Sequence, residues 1–191
     1  MRIINNNSKF LLCAFAATAL AASASAQLTI DQVRIIQNTT DALSLAEVQA
    51  FEFGLGGTNW ALASNGSTAL QTSECCGGSP SRAIDGNTDG AFNNGSVTHT
   101  AGGTIGDYWQ VTFAADHSID TLRLFGRGLE CCETRDDNLT VKLYNNDVEV
   151  FTLNTGIPND DQEIIIPVPE PASLSLLSLC ALGLLARRRR A

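Results

Sequence analysis

Four short stretches of this chain hold residue types that can do chemistry. Cys75-Cys76-Gly77-Gly78 and Cys131-Cys132 contain pairs of adjacent cysteines. Asp85-Gly86-Asn87 sets two side-chain oxygens two residues apart, with a glycine between them that lets the backbone turn tightly. Such a turn suits Ca2+, which takes roughly six to eight oxygen ligands, backbone carbonyls included. His99 stands in Ser96-Val97-Thr98-His99-Thr100, and Arg127 and Arg135 bracket the second cysteine pair. An arginine fork offers several fixed donors to oxygen acceptors. Each group also has a plain structural reading: an Asx turn at Asp85, and surface ion pairs between the arginines and Glu130, Glu133, Asp136 or Asp137. Catalysis would need the carboxylates around Cys131 as a glycosidase pair, or His99 or His117 as a base. No second histidine motif accompanies His99, and Asp116-His117-Ser118 reads as an exposed turn. The residues therefore point to a binder, not an enzyme.

The elements that must position these groups read as strands. No helical period persists between Gln27 and Pro167, while short alternating runs recur between Gly, Asn and Asp clusters. The expected strands are Leu28 to Gln37, Leu43 to Phe53, Trp109 to Phe113, Ile119 to Phe125, Leu139 to Tyr144, Val148 to Leu153 and Glu163 to Ile166. Asn145-Asn146-Asp147 is a hairpin turn. The pattern predicts an all-β sandwich of jelly-roll type. The polar stretch Ser64 to Gly106 is expected to be loop, functional or ordered by a metal.

Both ends of the 191-residue chain carry apolar runs that are addresses, not core. Residues 1–26 combine Arg2 and Lys9, an apolar run from Phe10 to Leu20 and the small-residue exit Ala24-Ser25-Ala26, which together read as a secretory signal peptide. Cys13 follows Leu12 inside the apolar run, not the small residues that a lipidation cysteine requires. At the other end, Val168-Pro169-Glu170-Pro171 precedes an apolar segment, Ala172 to Ala186, and then Arg187 to Arg190. That segment would rise about 22 Å as a helix, a marginal transmembrane anchor whose arginines fix its end in the cytoplasm. Residues 168–191 resemble the PEP-CTERM sorting tail of Gram-negative bacteria. The resemblance implies processing by an exosortase-type enzyme, transient residence in the inner membrane, and delivery to the cell surface or an extracellular matrix.

The remaining domain, residues 27–167, has six basic side chains against 19 carboxylates, a net charge of −13. Such a surface repels phosphate backbones, so no nucleic-acid partner is expected, whereas it can attract cations. Its four cysteines, Cys75, Cys76, Cys131 and Cys132, are an even number outside the cytoplasm, and three pairings are open to them. Adjacent cysteines lack the usual spacing of a zinc site.

Asn59-Trp60-Ala61-Leu62-Ala63, Arg82-Ala83-Ile84-Asp85-Gly86-Asn87, Ser96 to Thr100, Asp107-Tyr108-Trp109-Gln110-Val111 and Cys131-Cys132 follow one another in a recognisable order. In that order they resemble the discoidin, or coagulation-factor C-type, galactose-binding-like superfamily, and within it the fucolectins. Val33-Arg34-Ile35 and Leu43 to Val48 resemble segments that usually close the family's domain, so the chain reads as permuted, with the customary last strand first. The resemblance implies a calcium site made of Asp85, Asn87, Ser96 and Glu47 with the carbonyls of Arg82 and Ala46. It also implies a fucose-type site of His99, Arg127 and Arg135, with a Cys131-Cys132 disulfide packed on the sugar's apolar face. That pairing would leave Cys75 with Cys76; bridges between the two loops are the competing arrangement. Arg127 lies four residues before Cys131 where fucolectins have three, so an extra residue must be absorbed there. The implied partner is an extracellular polysaccharide or glycan. A structural matrix protein on the same fold, without specific sugar binding, is the alternative.

Overall fold

Alternation of apolar and polar side chains sets up the strands, and the computed structural model shows how they pair. It describes residues 28–128, 135–157 and 163–167, so the signal segment, the sorting segment and Cys131-Cys132 lie outside the described residues. The strands are β1 (Thr29–Gln37), β2 (Leu45–Phe51), β3 (Thr68–Gln71), β4 (Tyr108–Ser118), β5 (Thr121–Gly126), β6 (Leu139–Asn145), β7 (Val148–Thr155) and β8 (Glu163–Pro167). They form a five-stranded sheet ordered β3-β4-β1-β6-β7 and a three-stranded sheet ordered β2-β5-β8. Every pairing is antiparallel. The described residues contain short 3-10 turns and no α-helix, and no helix among them is long and apolar enough to cross a membrane.

The inner faces follow from the side-chain period of two. Val33 and Ile35 of β1, Trp109, Val111 and Phe113 of β4, and Leu139, Val141 and Leu143 of β6 point one way and meet Val48, Ala50, Leu122 and Leu124 of the smaller sheet. This is a β-sandwich with its core between the sheets. Ile30 joins the same core although its parity differs from that of Val33, because a register shift between Ile30 and Gln32 turns the strand over. The early segment is integral to the fold: β1 is the central strand of the larger sheet. Its first residue lies opposite Ser118, and β8 ends with Pro167 opposite Thr121.

The polar stretch differs from expectation in one respect, since it contains β3, an edge strand on β4. Of the rest, Ala83 and Ile84 join the main core, while Val97 packs with Ala46 and Phe125 of the smaller sheet in a second, smaller cluster with Phe92 against it. Nearly every residue of β2 is therefore buried. His117 is also a correction. It lies within β4, one residue from its end, and not in an exposed turn, and its ring stacks on Trp60 at 3.8 Å and 10°, an aromatic pairing that holds it against the sandwich.

Candidate functional site

The alternation in Ser96 to Thr100 decides where His99 points. Thr98 and Thr100 turn toward the lead into β2, where their hydroxyls accept from the peptide N–H groups of Leu45 and Leu43, both at 2.9 Å. The peptide N–H groups of Thr98 and Thr100 donate back to the carbonyls of Leu45 and Leu43. His99 faces the opposite way, onto the first cysteine loop. The Cys75 peptide donates to the His99 carbonyl at 2.9 Å, and the His99 peptide donates to the Gly78 carbonyl at 2.9 Å. Only glycine fits at position 78, because a Cβ there would lie 2.6 Å from the His99 Cβ and 2.9 Å from the Thr98 carbonyl carbon.

Cys75 and Cys76 are joined in a disulfide, so the bridge between loops is not the arrangement these two residues adopt. Their sulfurs and a His99 ring nitrogen all lie within 4.8 Å of one another. Two cysteines and a histidine could suggest a metal, but the disulfide removes the thiolates that would ligate one.

The His99 ring has a defined tautomer. Nδ1 lies 2.6 Å from the Thr100 carbonyl, which can only accept, so Nδ1 carries the proton. Nε2 is then an acceptor and takes a hydrogen bond from Arg135 Nη1 at 2.9 Å. Burial, followed by the nearby Arg135 and Arg127 charges, holds the His99 pKa below its ordinary value despite the opposing Thr100 contact. The imidazole is therefore neutral, an orienting acceptor for the guanidinium. Arg135 Nη1 also donates to Ser44 Oγ at 3.1 Å, and the Arg135 carbonyl accepts from Gln37 Nε2 at the end of β1.

Arg127 completes the group. Its guanidinium carbon lies 4.4 Å from the centre of the Phe92 ring, a cation–π contact, and Phe92 meets His99 edge-on at 5.4 Å between centroids. The structure thus places His99, Arg127 and Arg135 near one another; Cys131 and Cys132 lie outside the described residues. Asp136, one of four acids that the plain structural reading offered as surface ion-pair partners, is buried. Its carboxyl accepts from the Ser44 peptide at 3.4 Å and from the Arg127 peptide. Burial pushes its pKa up to about 7, against the lowering effect of these donors and of Arg135. Asp136, Ser44, Phe92 and the Cys75-Cys76 pair are the site residues that the sequence did not single out for this role.

A second cluster gathers around Glu47. Glu47 faces outward from β2 yet is fully buried beneath the Asp85-Gly86 turn, and its Oε2 accepts from the Gly86 peptide at 3.3 Å. Oε1 is buried without a hydrogen bond. Burial first, and then the Asp85 charge, push the Glu47 pKa up to about 8 against the hydrogen bonds of the Gly86 and Asp85 peptides. A register shift between Leu45 and Glu47 leaves Ala46 out of the ladder with β5, as happens where a strand is re-aimed at a site. Asp85 Oδ1 accepts from the Asn87 peptide at 2.8 Å, and Ser96 Oγ donates to the Ala91 carbonyl at 3.1 Å. The Arg82 side chain reaches the Val97 carbonyl at 3.1 Å. Glu47, Asp85 and the bulged Ala46 suit a hard cation: a buried carboxylate with one bare oxygen, beneath an oxygen-rich turn, is what such an ion would neutralise. The two clusters are joined, because the Gly128 peptide donates to the Gly90 carbonyl at 2.7 Å.

Residues 82–172 match the family model of the NedA-like, galactose-binding domain of coagulation-factor F5/F8 C type. Two curated relatives come from Anguilla japonica: Fucolectin-6, 42% identical over 29% of this chain and 28% of its own length, and Fucolectin-4, 34% identical over 44% and 43%. Over these stretches the chain is similar to the fucolectins. The chain spans less than half the length of the curated relatives it matches. Its residues 167–190 match the PEP-CTERM protein-sorting motif. No solved structure matches it. The galactose-binding-domain match begins at Arg82, so it includes the Asp85 turn, His99, Arg127 and Arg135, while Glu47 lies ahead of it.

Proposed function

We propose that this is an exported, calcium-dependent carbohydrate-binding protein, sorted to the bacterial cell surface or an extracellular polysaccharide matrix. The observation that carries the reading is the Arg135 guanidinium held at 2.9 Å on the Nε2 of a neutral His99, with Arg127 alongside. Two permanent cations beside a partly buried, aromatic- and sulfur-lined corner suit a ligand rich in oxygen acceptors and carrying an apolar face. A fucose-like pyranose meets that description. Calcium would supply positive charge to Glu47 and Asp85 and fix the loop that carries Gly90, and through it the Arg127-Gly128 segment. The sorting motif supports processing by an exosortase-type enzyme, with the inner membrane engaged through the C-terminal segment on the way.

The matrix-protein reading has one observation of its own. Both His99 nitrogens are already satisfied within the protein, so the ring has no donor left to offer a ligand. Titration calorimetry with fucose, galactose and the host exopolysaccharide, with and without a chelator, separates the two. Calcium-dependent binding of any of these supports the lectin; no binding in either condition gives the matrix protein the stronger claim.

A further inference from the structure

The Cys75-Cys76 disulfide holds a place in the site that the resemblance gives only to Cys131-Cys132. Cys76 is exposed and Cys75 half-buried, whereas His99 is only 9% exposed. The disulfide is thus the more exposed group beside the His99 ring. The position is fixed from the backbone outward. Besides the two peptide bonds that tie the loop to His99, the Gly78 peptide donates to the Cys75 carbonyl at 2.9 Å, and Gln71 Nε2 donates to the carbonyls of Gly78 and His99 at 2.9 and 3.3 Å. Cys76 and Gly77 adopt left-handed backbone conformations, φ 60 and 72, which complete the turn. The corner then has two chemically distinct sides: guanidinium donors on one, and a polarizable apolar plate on the other.

We propose that the Cys75-Cys76 disulfide is a ligand-contacting wall of the His99–Arg135 site. Against it rests the C–H face of a pyranose whose hydroxyl edge is bound by the arginines. The inference rests on the carbohydrate reading above and adds a specificity element to it. A pyranose has the same two-sidedness as the corner, with oxygens around its rim and C–H groups on a face. A sulfur plate offers dispersion contacts to a methyl group and no strong partner to a hydroxyl, so the wall favours a 6-deoxy sugar over its 6-hydroxy counterpart.

L-fucose and L-galactose differ only in that hydroxyl, which makes them the natural pair of probes. The exported protein and its Cys75→Ser/Cys76→Ser variant, in which Cys131-Cys132 is retained, are titrated with both. Wild type should prefer L-fucose, and the variant should bind L-fucose about five- to tenfold more weakly with its preference reduced. Unchanged affinity and preference in a folded variant would overturn the wall while leaving the carbohydrate reading in place. Binding of neither sugar by wild type would overturn that reading and the wall with it. Should the variant fail to fold, the unmodified protein still decides: NOEs between the Cβ protons of Cys75 and Cys76 and the ring or methyl protons of bound L-fucose are expected, and their absence would exclude the contact.

Discussion

At His99 Nε2 the Arg135 guanidinium meets a neutral acceptor, so that contact aims the charge without cancelling it. If the guanidinium also binds sugar oxygens, Arg135→Ala should weaken binding by about ten- to a hundredfold, since a charged hydrogen bond contributes ~1.5–3 kcal/mol. Calorimetry on the variant tests this, and stabilisation by calcium should survive the change. Asp136 gives the residue-scale pH dependence. Its folded pKa of about 7 lies above an ordinary aspartate value of about 3.9, so between these values the folded state holds a proton that the unfolded chain has lost. Stability therefore falls as pH rises through that window, and Glu47, pushed up to about 8, acts in the same direction. With chelator present throughout, Tm should drop from about pH 5 to about pH 8, and Asp136→Asn should shrink the drop; a variant curve parallel to wild type would remove Asp136 from the account. His99, Arg127 and Arg135 were legible because their motif fixes them as a set. The role of Asp136 was not, because it depends on a Ser44 peptide 92 residues away in sequence.

Among the elements, the cysteine turn is tied to His99 and the Asp85 turn covers Glu47. Gly78→Ala forces a Cβ into the His99 peptide, and overpacking of this kind costs about 1–3 kcal/mol. A Tm lowered by several degrees, with weaker sugar binding in the same variant, is the expected result; an unchanged Tm would mean that the turn yields without cost. For the Asp85 turn, excess Ca2+ should raise Tm by mass action, and Asp85→Ala should abolish the rise. A wild-type melting curve indifferent to chelation would leave Glu47 as a buried acid and nothing more. The long strands were readable from alternation, as in Trp109, Val111 and Phe113. β3 was not, because Thr68–Gln71 is only four residues long and half-exposed, in keeping with an edge strand. The His117 turn was misread because its Asp-His-Ser composition suggests a loop, and the stack on Trp60 is a tertiary contact.

For the whole molecule, the sandwich class followed from strand spacing, while the order of strands within each sheet did not, since pairing over such separations leaves no local signature. The sorting motif makes a prediction of its own: mass spectrometry of the protein from its host should show loss of the segment after Pro169-Glu170-Pro171, and a mature form still ending at Ala191 would count against processing. The pairings of β1 with β4 and of β8 with β5 give the molecule a direction. Thr29 lies opposite Ser118 and Pro167 opposite Thr121, so the chain enters and leaves beside a single turn. The other ends of these elements carry the arginine site: Gln37 at the end of β1 holds the Arg135 carbonyl, and Gly126 at the end of β5 pairs with Leu45, next to the Thr98 contact. On the proposed function, a tether at Pro167 would hold one pole and leave the opposite pole clear of whatever holds it. Many copies fixed to one surface would all turn the same face outward, so an array of weak single sites could grip a long polymer with a strength that none of them has alone.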